Sequence, residues 1–460
     1  MNNIEKKTTF NNASQRSRGN MAIEILPVGG FGEVGKQMVA VKVDNEVVIF
    51  DMGLHLPNYI LATEGEEIRK ISREQLMKAQ AIPDDTLLGD WKGKVKAIVL
   101  SHAHLDHIGA VPFMASTYKA PIISAPFTCS VIRRICADEG IRIPNLKPLN
   151  PNDKLQICEN LTIELIHITH SVPQSTVIAL HTPHGIVVYA NDFKLDNRPV
   201  LGKKPNTEAL EALGKEGVAA LMCECLYAQT PGKTPSETVA KEMLKDVLLH
   251  VNNKGSAVIV TTFSSHIARL TSIVECGQKL GRKVVFLGRS LSKYVEAAKE
   301  MGITDFKGIE IVYYPKEVAK KLKEIQAKGR DKYMIVCTGH QGEPGAVLSK
   351  MADGKLPFKF QPQDNIIFSC TTIPADINVK NRKILEDKLN SFGVRTFRDI
   401  HVSGHASRED LREFLTMLKP QVVCPSHGSK AMMTAFGELC KQLPFKTNVM
   451  TIINGQKIEV

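Results

Sequence analysis

A chain of 460 residues, 43% apolar and 23% charged, has material for one large core or two medium ones, which excludes general disorder and leads us to expect two domains. Its net charge of +11 favours a polyanionic partner, nucleic acid above all, without requiring one. No run nears eighteen apolar residues and no secretory leader opens the chain, so a cytoplasmic protein with no membrane partner is expected; the ten cysteines, with no CxxC pair, read as reduced core thiols.

Residues 1–20 are polar and aperiodic and are expected to form a flexible tail. From Met21 the short β-branched runs "AIEILPVGG", "QMVAVKV" and "EVVIFDMG" predict an antiparallel start to a sheet. Strands are further expected at "GKVKAIVLSH", "TIELIHITHS", "GIVVYANDF" and "GVAALMCECLY". After Tyr227 strands and helices alternate: "SAVIVTTF", a helix from about Ser264 to Leu280, "KVVFLG", a helix from about Ser290 to Met301, then "KYMIVCTG" and "NIIFSCT". That rhythm predicts a parallel α/β unit. "FRDIHVSG", a helix around residues 408–418 and "QVVCPSHG" return to short strands under one helix. The chain therefore divides into a first part over 21–228, an insert over 229–390 and a returning part over 391–460.

The segment "SHAHLDH" sets His102, His104, Asp106 and His107 directly after an apolar strand. Alternation puts His102 and His104 on one face, while Asp106 and His107 fall on the turn that follows. Imidazole nitrogens suit Zn, Mn or Fe, and a catalytic ion needs protein ligands with a position left open. Four donors so close in sequence cannot surround one ion evenly, so two neighbouring divalent ions, completed from elsewhere, are the better geometry. Donors at other strand ends exist: His170 after "LIHIT", Asp192 after "GIVVYAN" and His427 in "VVCPSHG". Asp51, after "EVVIF", is expected to orient a ligating histidine rather than to ligate.

"HAHLDH" with Asp51, His170, Asp192 and His427 resembles the metallo-β-lactamase superfamily, which implies an α/β fold of two β-sheets sandwiched between helices with a dinuclear site at one edge. The resemblance implies that His102, His104 and His170 hold one ion, that Asp106, His107 and His427 hold the other, and that Asp192 bridges them. Zinc is the expected metal and manganese the alternative; paired ions would activate a shared water and stabilise the attacking and leaving oxygens. Asp192 and His427 are 235 positions apart (427 minus 192), the α/β alternation fills that interval, and an insert at that point resembles the β-CASP nucleases. Glu224 in "LMCECLY" and His405 in "HVSGHAS" fit the acidic and histidine motifs of that group. "CTGHQGEP" and "FLGRSL" resemble its ribonuclease J branch. Two departures stand out: His340 occupies a place usually held by serine and has no assigned role, and 33 residues follow His427 (460 minus 427), so the carboxy-terminal domain of the bacterial enzymes is expected to be absent. The short form, with no RNA-binding domain ahead of Met21, resembles the archaeal type.

The resemblance implies a metal-dependent ribonuclease acting 5′ to 3′ on single-stranded RNA in decay or processing, preferring a 5′ monophosphate and releasing single nucleotides, in a homodimer. An endoribonuclease of the cleavage-factor type is the alternative. An RNA-binding scaffold with a structural metal is disfavoured, because all seven donors are present. Catalysis is assigned to Asp106, Asp192 and His405, the last touching the scissile phosphate as electrophile or as acid to the leaving oxygen. Ser264 and Ser265 are expected to start a helix with His266 beside them, where free NH groups meet an anion or where the serines simply cap. Arg289 offers a planar fork to phosphate. With Ser403, Gly404 and His405 these residues are expected to line a cleft between the domains. The basic run at 319–332 reads as a solvated helix face.

Overall fold

The computed structural model describes residues 23–63, 71–141 and 145–460; the tail expected over 1–20 lies outside the described residues. The first β-branched runs pair in antiparallel, Ile23–Gly29 with Met38–Val43 and Met38–Val43 with Glu46–Phe50. From there the ladder turns parallel through Val95–Leu100 and Ile122–Ser124 to Leu146–Pro148, and Ile458–Glu459 closes the other edge of this seven-stranded sheet. A second seven-stranded sheet runs Asn448–Val449, Val422–Ser426, Val218–Glu224, Gly185–Ala190, Thr176–Thr182, Leu161–His167, Lys154–Cys158.

The sheets stack because alternate side chains of each point inward. Val39, Val41, Val48 and Phe50 of one join Ile163, Ile178, Leu180 and Tyr189 of the other in one buried cluster. Leu210, Phe414 and Phe436, from helices Thr207–Glu216, Arg408–Leu418 and Lys430–Cys440, cover the second sheet's outer face. Phe127 and Val131 of helix Pro126–Asp138 join the cluster on the first sheet's outer face. This is the four-layer sandwich that the resemblance implies.

Between Glu224 and Val422 the chain builds a third sheet. Its six parallel strands lie in the order Glu310–Val312, Lys283–Leu287, Tyr333–Cys337, Val258–Thr261, Asn365–Phe368, Arg395–Phe397. One face packs on helices Pro315–Lys328 and Asp376–Ser391 through Leu322, Ile325, Leu385 and Leu389. The other is covered by helices Glu237–Leu249, Ile267–Lys279 and Arg289–Glu300, whose Leu244, Leu270 and Val295 belong to the apolar cluster that reaches the first sheet. The third sheet is thus joined to the sandwich by a continuous core.

Three local expectations change. The strand expected at "FRDIHVSG" ends at Phe397, which extends the third sheet, and residues 398–404 carry no ladder bonds. The helix expected from Ser264 begins at Ile267, because the His266 ring, not a serine, accepts the Arg269 amide as its cap. Thr176–Thr182, not expected, is an interior strand of the second sheet. All ten cysteines are unpaired, and no described helix is long and apolar enough to cross a membrane.

Candidate metal centre

These residues meet at one edge because most of them follow the end of a strand, while Asp106 and His107 lie on the helical turn Leu105–Ile108 that comes next. Asp51 follows Glu46–Phe50, His102 follows Val95–Leu100, Asp192 follows Gly185–Ala190 and His427 follows Val422–Ser426. Asp51, Asp192 and His427 adopt φ of 57°, 60° and 51°. A left-handed residue of this kind turns the chain sharply off the strand, at a cost of about 1–3 kcal/mol each.

Two donor sets share Asp192. In the first, His104 Nδ1 lies 3.1 Å from both His102 Nε2 and His170 Nε2, and Asp192 Oδ2 stands 3.4, 3.9 and 3.7 Å from the facing nitrogens of His102, His104 and His170. In the second, His107 Nε2 is 3.6 Å from Asp106 Oδ2 and 3.2 Å from Asp192 Oδ2, while His427 Nε2 is 3.9 Å from Asp106 Oδ2 and 3.5 Å from Asp192 Oδ1. Bond lengths of about 2.0–2.1 Å to a tetrahedral ion place neighbouring ligand atoms about 3.3 Å apart. Both sets match that spacing.

The outer nitrogens settle which atoms face inward. His102 Nδ1–H donates to Ser101 Oγ at 3.0 Å, and Ser101 Oγ donates to Asp51 Oδ2 at 2.8 Å. His107 Nδ1–H donates to Asp51 Oδ2 at 2.6 Å, and His170 Nδ1–H donates to the Gly404 carbonyl at 2.7 Å. His104 Nε2–H is met by Ser265 Oγ at 3.1 Å. With the outer nitrogens protonated, the inner lone pairs of His102, His104 and His170 face one another at contact distance. They repel unless a cation lies among them. His107 Nε2 and Asp192 Oδ1 are buried with no hydrogen-bond partner. Orphaned donors and facing lone pairs both fit divalent ions.

The electrostatics agree. Burial, then the charge of His107, lowers the His102 pKa to about 4. Burial and the neighbouring His104 and His102 rings hold His170 well below the imidazole range. Both are therefore neutral, as ligation of a metal would require. Burial opposes charge on His107, yet the carboxylates of Asp192, Asp106 and Asp51 hold its pKa well above the usual value. Burial likewise opposes ionisation of Asp192, yet His107, His427 and His405 keep it well below the carboxylate range.

A third cluster adjoins these. Fully buried Glu224 accepts the Phe193 amide at 2.7 Å on Oε1 and the His405 Nδ1–H at 2.7 Å on Oε2. Burial would lower the His405 pKa, but Glu224 and Asp192 raise it to about 9. A carboxylate behind Nδ1 leaves Nε2 as the working proton of an imidazolium.

The residues expected to bind phosphate divide. Ser264 and Arg289 are at the carboxyl edge of the third sheet, where Ser264 Oγ meets Ser290 Oγ at 2.9 Å. Ser265 turns to His104, His266 caps its helix and faces Glu237 at 3.4 Å, and the Ser403 hydroxyl accepts the His405 amide at 3.0 Å. Gly404 lies against His170: a Cβ there would stand 2.8 Å from Nδ1. His340 packs its ring 4.4 Å from that of Phe263. The sequence reading missed Ser101, Tyr189, which donates to Asp51 at 2.9 Å, and Gln37, whose amide meets Nδ1 of His427. Ser101 had a signal, its place directly before the first histidine; Gln37 had none.

Family models match three consecutive stretches: the metallo-beta-lactamase superfamily over residues 33–218, the ribonuclease J beta-CASP domain over 255–386 and the Zn-dependent metallo-hydrolase RNA specificity domain over 394–450. The chain is 43% identical to the ribonuclease J of Methanocaldococcus jannaschii over 95% of this chain and 98% of that one. It is also 43% identical to that of Pyrococcus abyssi, over 95% and 97%, and 33% identical to that of Thermus thermophilus, over 88% and 68%. A solved protein of unknown function from Enterococcus faecalis, 19% identical, shares the fold at a TM-score of 0.65 over 95% of this chain and 100% of that one. With its three regions matched in order and its archaeal relatives aligned nearly end to end, the chain belongs to the ribonuclease J family, of the archaeal type.

Proposed function

We propose that the protein is a metal-dependent ribonuclease that degrades single-stranded RNA from its 5′ end and prefers a 5′ monophosphate. The observation that carries the metal dependence is the pair of donor sets sharing Asp192, with facing lone pairs and two orphaned buried atoms. Two divalent ions bound there, zinc in our reading with manganese the alternative, would supply water activation and positive charge for the reacting phosphate. His102, His104 and His170 would hold one, Asp106, His107 and His427 would hold the other, and Asp192 would serve both.

His405, charged by Glu224 behind it, donates its Nε2 proton to the leaving 3′ oxygen. Arg289, with the hydroxyls of Ser264 and Ser290, takes the terminal phosphate at the carboxyl edge of the third sheet, where its fork matches two phosphate oxygens. Asp51 and Ser101 keep His102 and His107 in the ligating tautomer. We assign the insert to residues 229–390, extended through Arg395–Phe397 by its sheet pairing, and expect a cytoplasmic homodimer.

The test is digestion of one RNA labelled at either end and carrying a 5′ monophosphate, triphosphate or hydroxyl. The monophosphate form should disappear fastest, and its 5′ label should appear at once as a mononucleotide. Equal rates for all three ends, with early products of intermediate length, would assign the protein to internal cleavage instead.

A further inference from the structure

The helix Pro315–Lys328, which the catalytic reading leaves unused, carries a second surface. The strand Glu310–Val312 is parallel to its neighbour Lys283–Leu287. Tyr313 and Tyr314 therefore leave the third sheet at the same carboxyl edge as Arg289. Their ring centroids are 4.3 Å apart, and they are 36% and 55% exposed. Adjacent exposed rings are costly in water unless something stacks on them.

Directly after them, Lys316, Lys320 and Lys323 fall at i, i+4 and i+7 on the helix and are exposed. That spacing puts all three on one stripe over about 10 Å. None of them makes an ion pair or hydrogen bond with a described residue, whereas Lys321 and Lys328 on the neighbouring stripe are tied to Glu324. Like charges at this spacing destabilise a helix by themselves. Helix Arg289–Glu300, which starts at that same carboxyl edge, is tied to the metal edge: the Tyr294 hydroxyl donates to the Ala103 carbonyl at 2.8 Å, between His102 and His104.

We infer that Tyr313 and Tyr314 with Lys316, Lys320 and Lys323 form an outer track for single-stranded RNA, holding the part of the substrate that has not yet entered the cleft. The inference rests on the ribonuclease reading and extends it. Successive bases stack on the aromatic pair whatever their sequence, and the lysine stripe follows the phosphates, the two elements of sequence-tolerant single-strand binding. A partner protein is the competing occupant. The unpaired positive stripe beside the rings favours a polyanion.

Two surface variants test it, Tyr313→Ala/Tyr314→Ala and Lys316→Gln/Lys320→Gln/Lys323→Gln, each compared with the wild type on a 5′-monophosphorylated tetranucleotide and on a long unstructured RNA. Loss of one stacked base weakens binding roughly five- to hundredfold, so KM for the long RNA should rise about tenfold in the tyrosine variant while kcat/KM for the tetranucleotide stays unchanged. The lysine variant should flatten the salt dependence of long-RNA binding by about 2 in log–log slope, at about 0.7 for each phosphate no longer neutralised. Unchanged KM and salt slope on the long RNA, or equal losses on both RNAs, would overturn the track while leaving the ribonuclease intact. A change in sedimentation with RNA binding unaffected would overturn it in favour of a protein interface. Wild-type protein that neither binds nor cleaves either RNA would overturn the ribonuclease reading and the track with it.

Discussion

Ser265 Oγ lies 3.1 Å from Nε2 of His104, so a residue at the edge of the inserted sheet holds the outer nitrogen of a histidine that belongs to the sandwich. Removing a partner of this kind typically costs roughly ten- to hundredfold in metal affinity. Ser171 Oγ is 3.3 Å from the same nitrogen and can take over part of the role. Ser265→Ala should therefore weaken metal retention by about tenfold, at the low end of that range, measured by chelator competition. An unchanged chelator midpoint would assign the tautomer of His104 to Ser171 alone.

Asp192→Ala should remove the one carboxylate common to both donor sets. RNA hydrolysis should vanish and metal content fall by elemental analysis, with circular dichroism unchanged. Two ions still bound together with normal turnover would refute the bridging role.

His405→Ala should lower single-turnover cleavage by roughly a hundredfold to ten-thousandfold with RNA affinity nearly intact. The pH dependence has a definite sign. A proton donor with a raised pKa of about 9 is charged below that value, so activity falls as pH rises through it. Part of the rise comes from Asp192, which the ions neutralise, so in the loaded enzyme the descending limb should lie at or below that pH. Glu224→Gln removes the remaining pull and should move the limb further down; an unmoved limb would show that His405 is not the acid.

Arg289→Ala should narrow the preference for a 5′ monophosphate over a 5′ hydroxyl. Charge-assisted hydrogen bonds contribute roughly 1.5–3 kcal/mol each, so the ratio of kcat/KM for the two ends should shrink at least tenfold. A larger loss on the hydroxyl substrate would place Arg289 elsewhere on the RNA.

Arg269 is fully buried where the two segments that connect the insert to the sandwich come together. Its Nη2 donates to Glu237 Oε2 at 2.8 Å, and its Nη1 donates to the carbonyls of Ser369 and Ile400 at 3.0 Å. Breaking a buried pair on one side costs about 3–5 kcal/mol, so Arg269→Met should lower the unfolding free energy by that amount in urea. Burial disfavours the Glu237 carboxylate, but His266 and Arg269 hold its pKa well below the ordinary 4.5. This depressed value contributes stability above the ordinary carboxylate range and loses it as pH falls through the native value. The variant should therefore show less additional loss in acid than the wild type.

The clustering of the donors was legible because most are polar residues at places where a strand has just ended, and period-two alternation makes those places visible. The alternation of strands and helices likewise located the insert's sheet. What sequence could not supply is the direction in which each side chain turns. Ser265, Ser403 and Gly404 are in loops expected to hold phosphate, yet their atoms serve His104, His405 and His170 across 161, 2 and 234 positions. The Arg269–Glu237 pair was invisible for a related reason: single charged residues on amphipathic helices read as solvent-facing, and only the meeting of both connecting segments buries them. Strand Thr176–Thr182 was missed although its apolar run is plain, because it follows the donor His170 after a short loop and was absorbed into that neighbourhood.

The left-handed backbone at Asp51, Asp192 and His427 has a consequence for how this protein tolerates change. Glycine would relieve the backbone penalty at each position, but at Asp51 it would strip the acceptor that meets Ser101, His107 and Tyr189. A change made for backbone ease alone therefore exchanges a conformational cost for buried groups left without partners. Variants gaining heat tolerance at positions 51, 192 or 427 would lose turnover, which makes this edge the point where durability and activity pull the chain in opposite directions.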